Sequence, residues 1–484
     1  MRDIIAIDIK DNQLIDSTGK VCLVDSLEQV LDFFLSEQTD GFLVVWNLYD
    51  LLDIIRRFIP DDKFLELIEK DKVWVNGYKL FSSAGKKLSI THEYRTHLQG
   101  NIYDAVKREV DIYNLYKYFP DYHPKDANDI HSKGVELLAT LYDMGMGNTP
   151  TLSSPISIYS KTILSDSVVP HLFDMPDEAC DALEYVAPLL TREWRAIYKI
   201  GHWENATNCD IHGAYQSLAS HFGDLSDCKI WYGKTCEPCD WGVFKGKVTI
   251  NQDSPIVNAD KQPVIGTYED YLTTDQWYYL TKTKKGYFIP QDGWMLKYNT
   301  QEKPFYKLML DLYNQRQAGG LISDISKGIA VGLIGQFAQS YPEKYGNNFN
   351  PFYSVMATSR CSLKVGKLLD AFNLWDSLIN VVVDGCLIDR QLDILDTSDM
   401  GTWHTKQAKS LVLSLGHSYV GDKRPGNKTY DDMMLSINKR PEANGYNNVI
   451  LLPELNTTNR VFDDYPKNGK DWITKIYNSK AISA

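Results

Sequence analysis

Apolar and polar positions along the chain follow two rhythms, and each change of rhythm marks an element. Ile4-Ile5-Ala6-Ile7-Asp8-Ile9 is a β-rich apolar run, and Gly41-Phe42-Leu43-Val44-Val45-Trp46-Asn47 is another, followed by helical spacing over Asp50–Phe58. Strands alternating with helices predict an α/β domain. Over Lys125–Met144 the apolar residues Ile130, Val135, Leu138 and Leu141 predict an amphipathic helix that closes it. Two prolines and two glycines within residues 145–155 predict a connector and a domain boundary. Farther on, strand signals from Cys209 to Ile250 surround a helical stretch, Ala214–Phe222. Phe305–Gln317 and Ser323–Gln339 predict an antiparallel helix pair joined at Gly319-Gly320, and Leu378–Ile388 a hairpin turned at Asp384-Gly385.

Length and composition narrow the class. At 484 residues, 43% apolar and 24% charged, the chain is of ordinary globular composition with room for two to four domains. No stretch approaches the roughly 20 apolar residues of a membrane span, and the first residues lack the pattern of a secretory signal. Eight cysteines scattered from Cys22 to Cys386 suit a reducing interior. These features predict a cytoplasmic address and no membrane partner.

The net charge of −12 excludes a protein that coats nucleic acid with its whole surface. The distribution is uneven: residues 1–70 hold 15 acids against 7 bases, whereas residues 276–330 hold 8 bases against 4 acids and residues 404–440 hold 7 against 3. Basic segments behind an acidic front suit a cleft that grips a polyanion locally, and they equally suit solvated helix faces.

Three spaced features point to template-directed nucleotidyl transfer. Asp210-Ile211-His212-Gly213-Ala214-Tyr215-Gln216-Ser217 places an aspartate after a short strand that runs into a helix; Lys327 to Gly335 lies on the second helix of the pair; Val381-Val382-Val383-Asp384-Gly385-Cys386 places an aspartate at a hairpin tip. Two aspartates on neighbouring strands are what two-metal phosphoryl transfer needs, since two Mg²⁺ about 3.5–4 Å apart stabilise the attacking and leaving oxygens together. A cationic helix answers the triphosphate. Each residue also has a plain structural reading: Asp384 as turn chemistry, Asp210 as a helix N-cap, Tyr215 as core, and Lys327 or Arg316 as a solvated face.

The ordered set resembles the family B DNA polymerases, in particular the protein-primed branch of small phages and linear plasmids. Asp210, Tyr215 and Ser217 match the first, sixth and eighth positions of motif A, Asp-x-x-Ser-Leu-Tyr-Pro-Ser, while Gly213-Ala214 and Gln216 depart from it. Lys327, Leu333 and Gly335 match motif B, Lys-x-x-x-Asn-Ser-Leu-Tyr-Gly, from which Val331, Gly332 and Ile334 depart. In motif C, Tyr-x-Asp-Thr-Asp-Ser, Asp384 matches the second aspartate and Val382 replaces the first. Tyr198-Lys199-Ile200-Gly201 is similar to the template-contacting Tyr-x-Gly-Gly, and His417-Ser418-Tyr419 stands where the primer-gripping Lys-x-Tyr belongs.

The resemblance implies a mixed α/β (α+β) right-hand polymerase behind an N-terminal RNase H-like exonuclease-type domain. Its expected layout is an exonuclease-like domain over 1–144, a connector and start of palm over 145–205, palm over 206–299, fingers over 300–340, palm again over 341–400 and thumb over 401–484. It further implies Asp210 and Asp384 as catalytic metal ligands for two Mg²⁺, with Mn²⁺ as a substitute. Tyr215, Arg316 and Lys327 would bind nucleotide, and Tyr198, Gly201, His417 and Tyr419 would bind DNA. The expected function is DNA-directed DNA synthesis on a 3′ hydroxyl, in replication of a small viral or plasmid genome. Its partners would be template-primer DNA, deoxynucleoside triphosphates and a terminal priming protein or processivity partner. The alternatives are an inactive DNA- or protein-binding relative, and a nucleotidyltransferase that makes primers or primes on protein.

The front domain resembles the proofreading exonuclease of these polymerases with its acids eroded. Asp8-Ile9-Lys10 puts an ammonium where Asp-x-Glu has its second carboxylate; Asp50 falls one residue early and Asp53 two late after Asn47; Asn128-Asp129 keeps the third motif's aspartate, but Lys125 replaces its tyrosine. Asp8, Asp50 and Asp129 therefore mark a degenerate site. Cys228, Cys236 and Cys239, with His221 nearby, have the residue types of a Cys₃His zinc site, though one Cys-x-x-Cys equally suits reduced thiols at a turn. Between Gly335 and Asn350-Pro351-Phe352-Tyr353 only 14 residues remain, which at about 3.3–3.6 Å each, out and back, allow only a stub of a hairpin.

Overall fold

The first apolar run forms the strand Ile4–Lys10, and the second forms Phe42–Val45, parallel to it with Ile7 opposite Val45. The computed structural model describes residues 3–10, 12–37, 41–83, 86–98, 101–164, 169–190, 192–259, 263–341, 344–414 and 417–420. Most of the expected thumb lies outside the described residues. Chain contacts divide the protein into two units: Met1–Ser167 with Ala318–Gly328, and Val168–Gln317 with the described residues from Ile329 onward.

The first unit is built on an eight-stranded mixed sheet whose centre is Ile4–Lys10, Phe42–Val45 and Asn101–Asn114. Its second run stops at Val45 because Asn47 turns the chain: its side chain accepts the Tyr49 N–H and caps the helix Leu48–Phe58. Leu51, Leu52 and Ile55 of that helix are buried in a core with Ile7, Leu14, Phe34 and Phe64. The predicted closing helix runs over Ala127–Asp143, begun by Asp126, whose carboxylate accepts the N–H groups of Asn128 and Asp129 at 2.9 and 3.0 Å. It packs on Ile4–Lys10, and a Cβ on Gly134 would stand 2.9 Å from Cγ2 of Ile4, so glycine sets how closely helix and strand approach.

The second unit holds two sheets. A six-stranded antiparallel sheet has the order His417–Val420, Trp403–Ser414, Gly201–Ile211, Gly385–Ile388, Leu378–Val382, Arg195–Ile197. A four-stranded sheet has the order Cys228–Gly233, Gly286–Tyr298, Trp241–Ile250, Gly266–Thr273. The helix Pro351–Ala371, capped by Asn350 with proline in its first turn, is buried along most of its length. Its Cys361, Val365 and Leu368 pack with Cys209, Ile211, Val381 and Cys386 of the six-stranded sheet, while its Leu363 joins the core of the four-stranded one. One helix therefore backs both sheets.

The predicted helix pair appears as Tyr306–Gln317 and Gly320–Phe337. Phe305, at the start of the first, meets Phe337, at the end of the second, with ring centroids 5.7 Å apart, and both meet Tyr353. The segment after Gly335 pairs Ser340–Tyr341 with Lys344–Tyr345, a hairpin of two-residue strands and the stub that the chain length predicts. Among the described residues, no helix is long and apolar enough to cross a membrane, and none of the eight cysteines is in a disulfide.

Arg192 fixes the edge of the six-stranded sheet to the four-stranded one. Its guanidinium donates to both carboxylate oxygens of Asp270 at 2.8 and 2.7 Å, with each side chain only 6% exposed. Removing one partner leaves the other charge buried and uncompensated. Arg192→Met should therefore lower unfolding free energy by about 3–5 kcal/mol, read as a fall in the urea midpoint, whereas a loss below about 0.5 kcal/mol would assign the pair no role in holding the sheets.

Candidate active site

The hairpin Leu378–Val382/Gly385–Ile388 pairs Val382 with Gly385, so its turn is Val383-Asp384 and not the Asp384-Gly385 pair that the sequence suggests. Gly385 is needed instead as the first residue of the returning strand. A Cβ there would lie 2.9 Å from the Cys209 carbonyl oxygen and 3.1 Å from Oδ1 of Asp210. Val383 takes φ +58°, a left-handed conformation that costs a β-branched residue on the order of 1–2 kcal/mol. The surroundings impose it: the Val383 side chain is buried, its N–H donates to the Trp194 carbonyl at 3.0 Å, and its carbonyl accepts the Cys361 thiol at 3.6 Å.

Asp210 stands directly across from Gly385 in the antiparallel ladder, which brings the two predicted aspartates to one end of adjacent strands. Both are half-buried. Asp210 is not a helix N-cap: Gly213 caps the helix Ala214–Ala219, at φ +54°. That residue, a departure from motif A, has a steric reason, since a Cβ on Gly213 would meet the Tyr313 ring at 2.7 Å. Tyr313 in turn donates its hydroxyl to the Ser398 carbonyl at 2.7 Å.

Tyr215 is half-buried against the core behind the sheet. Burial pushes its phenol well above the ordinary range, and the carboxylates of Glu193 and Asp384 add to the shift. Burial does the same to the Cys361 thiol, again with Asp384, Glu193 and Asp210 among the causes. Glu193 is thus a third carboxylate acting on this end of the sheet, ion-paired with Arg195 at 2.7 Å, and the sequence reading missed it. Arg316 is half-buried on the helix Tyr306–Gln317, where its charge acts on Tyr313. Lys327 is exposed on Gly320–Phe337, in the segment that belongs to the first unit. A cavity of about 480 Å³ beside Ser217 is lined by Arg360, Lys364 and Lys367, further cations that no motif marks.

The residues matched to DNA-contacting motifs lie toward the other end of the sheet. Gly201 is nine residues from Asp210 along one strand, about 30 Å at 3.3 Å per residue. Gly201 pairs with Val412, and Val412 with Ser418, so His417-Ser418-Tyr419 lies two strands away from it, across Trp403–Ser414. The Tyr198 N–H donates to the Ile379 carbonyl at 2.8 Å, and burial raises its phenol.

Acids and bases of the first unit also converge. Asp50 is raised to about 6, first by desolvation and then by the charges of Asp53 and Asp8. The Lys10 ammonium lies 2.9 Å from the Asp8 carboxylate and donates to the Lys125 carbonyl, while the Lys125 N–H donates to Asp129 at 2.9 Å. A cation of the chain itself thus sits between Asp8 and the Asp129 corner.

The cysteines do not form the set a zinc site needs. Cys228 is buried with its thiol on the Leu225 carbonyl at 3.3 Å, and His221 Nδ1 faces the Ser217 carbonyl at 2.7 Å. Burial pushes Cys239 up to about 12, as suits a protonated thiol. Among the described residues, three metal-type ligands converge instead at His212, Asp396 and His404.

The donors at the hairpin tip fit Mg²⁺: they are hard carboxylate oxygens, half open to water, with the space beside Asp210 kept clear by Gly385. Gly385→Ala should close that space and displace either the strand or the carboxylate, costing about 1–3 kcal/mol of stability. An unchanged denaturation midpoint would show that the close approach at Gly385 is not a constraint.

No protein-family model and no curated protein matches the chain. Solved structures do. Phi29 DNA polymerase complexed with primer-template DNA and incoming nucleotide substrates is 12% identical with a TM-score of 0.61, over 90% of this chain and 94% of that one. Phi29 DNA polymerase complexed with primer-template DNA is 13% identical with a TM-score of 0.57, over 84% and 85%. Phi29 DNA polymerase complexed with single-stranded DNA is 14% identical with a TM-score of 0.56, over 89% and 90%. At this identity the likeness establishes the fold: a mixed α/β right-hand polymerase with an exonuclease-type domain.

Proposed function

We propose that the chain is a DNA-directed DNA polymerase of the protein-primed family B type, adding deoxynucleotides to a 3′ hydroxyl. The observation that carries this reading is the register that sets Asp210 across from Gly385 with Asp384 at the adjacent tip, in a fold whose solved neighbours hold primer-template DNA and nucleotides. Bound Mg²⁺ would supply the charge that stabilises the attacking and leaving oxygens. Asp210 and Asp384 would hold it from two strands that the ladder keeps in place. Tyr215, clamped by the core, presents a rigid ring beside them, suited to lie under the nucleotide's sugar and to exclude a 2′-hydroxyl. Arg316 would meet the triphosphate; for Lys327, Tyr198, Gly201, His417 and Tyr419 the resemblance alone speaks. Template-primer DNA and deoxynucleoside triphosphates are then the partners, with a terminal protein or a processivity factor in addition.

The exonuclease-type domain is read as a scaffold. Lys10 supplies Asp8 with a built-in counter-ion, and an ammonium in that place repels the divalent ions that phosphodiester hydrolysis requires.

Asp384→Asn should cut primer extension about 10³-fold, on the order of 4 kcal/mol in the barrier, with DNA binding retained in a gel-shift assay. Extension at the wild-type rate would reduce Asp384 to a turn residue. A mismatched 3′ end incubated with the protein and Mg²⁺, without nucleotides, should stay intact. Rapid trimming abolished by Asp8→Ala would overturn the scaffold reading.

A further inference from the structure

The turn after Asp210, the loop around Asp396 and the strand Trp403–Ser414 bring together two imidazoles and a carboxylate, of which His212 stands at a variable position of motif A and the other two outside the matched motifs. His212 Nε2 lies 2.8 Å from one carboxylate oxygen of Asp396, and His404 Nδ1 lies 2.6 Å from the other. The three donor atoms all fall within 4.8 Å of one another, and the imidazole centroids are 5.3 Å apart. The side chains of His212, Asp396 and His404 are 24%, 33% and 43% exposed, so the cluster opens to water on one side.

Backbone hydrogen bonds arrange these donors. The His212 N–H donates to the Thr402 carbonyl at 2.9 Å, and the Gly401 N–H returns to the His212 carbonyl at 2.6 Å. Ser398 donates its N–H to Asp396 at 2.8 Å, while its own carbonyl takes the Tyr313 hydroxyl. His404 is fixed by the ladder, in which it stands directly across from Asp210. Both imidazoles and the Ser398 N–H thus converge on the two oxygens of the Asp396 carboxylate.

We propose that His212, Asp396 and His404 form a binding site for a Zn²⁺-class transition-metal ion, separate from the Mg²⁺-type carboxylates of Asp210 and Asp384. Two imidazole nitrogens and one carboxylate are a donor set for Zn²⁺ or Co²⁺, whereas Mg²⁺ prefers oxygen alone. Three protein ligands and an open side leave a fourth position for water. At Zn–N and Zn–O distances of about 2.0–2.2 Å, tetrahedral donors stand about 3.3 Å apart, so each present separation needs to change by at most about 1.5 Å. The ion would tie the segment just beyond Asp210 to the neighbouring strand and to the loop that Tyr313 touches. Its occupancy would then steady the Asp210 end of the sheet.

The test uses the full chain without DNA or nucleotide, so it is independent of polymerase activity. Co²⁺ is titrated against visible absorption, followed by displacement with Zn²⁺. One equivalent of Co²⁺ should give tetrahedral-type bands that Zn²⁺ abolishes and millimolar Mg²⁺ does not. His404→Gln and His212→Gln, which keep a donor toward Asp396 but lose the imidazole, should each weaken binding at least about tenfold with unchanged circular dichroism. The bands should survive in Asp210→Asn/Asp384→Asn and in Cys236→Ser/Cys239→Ser. Absence of the bands, their survival in both histidine variants, or their loss in either control variant would overturn the site and leave a pair of histidines sharing an aspartate by hydrogen bonds alone.

Discussion

The constraint on which the candidate active site depends is that two like-charged carboxylates have to be held side by side by groups that carry no charge. Antiparallel pairing does this between Gly201–Ile211 and Gly385–Ile388, where Cys209 faces Cys386 and Asp210 faces Gly385. The ladder is stiff because its back is packed: Cys209, Ile211, Val381 and Cys386 are buried against the helix Pro351–Ala371. A glycine at the crossing point and a valine forced into a left-handed turn are the local costs of this arrangement. Backbone strain of that kind persists only where surrounding contacts over-determine it, and here Trp194 and Cys361 bind the turn from two sides.

Much of this was legible in the sequence, and the reasons are particular. The strands Ile4–Lys10 and Phe42–Val45, the helix Ala127–Asp143 and the hairpin near Asp384 each follow from hydrophobic period or turn chemistry, which are local properties. The hairpin's turn came out one residue off because Asp-Gly is the favoured turn pair, whereas the close approach at Asp210 draws Gly385 into the strand. Gly213, a mismatch to the motif, became intelligible only when the Tyr313 ring was found in the space a side chain would fill. Glu193 had no signal at all, since its relation to Tyr215 arises from the pairing of Arg195 with Val382 across the sheet.

The two acid clusters of the chain sit in different electrostatic surroundings. At the hairpin tip, beyond the effect of burial, Asp384 and Glu193 raise the half-buried Tyr215 phenol and, with Asp210, the buried Cys361 thiol, while Arg195 pairs with Glu193. Such a field favours a cation from solution. In the first unit, Asp8 already has a cation in Lys10, and Asp50 is raised first by burial and then by the charges of Asp53 and Asp8. An acid at the end of a strand thus has further carboxylates around it in one unit and a lysine of the chain itself beside it in the other.

Sheet register explains why a second set of metal-type donors escaped the sequence entirely. His212 and Asp396 are 184 residues apart and Asp396 and His404 only eight, a spacing that matches no ligand motif. What joins them is that Trp403–Ser414 runs antiparallel to Gly201–Ile211, with His404 opposite Asp210. In a sheet, directly opposed residues project to the same face, so the pairing that aligns the strand with the aspartate also delivers an imidazole beside it. A change of register by one residue would turn His404 to the other face and dissolve the cluster. The ligand geometry is thus a property of the ladder, and the ladder is the element that also positions Asp210.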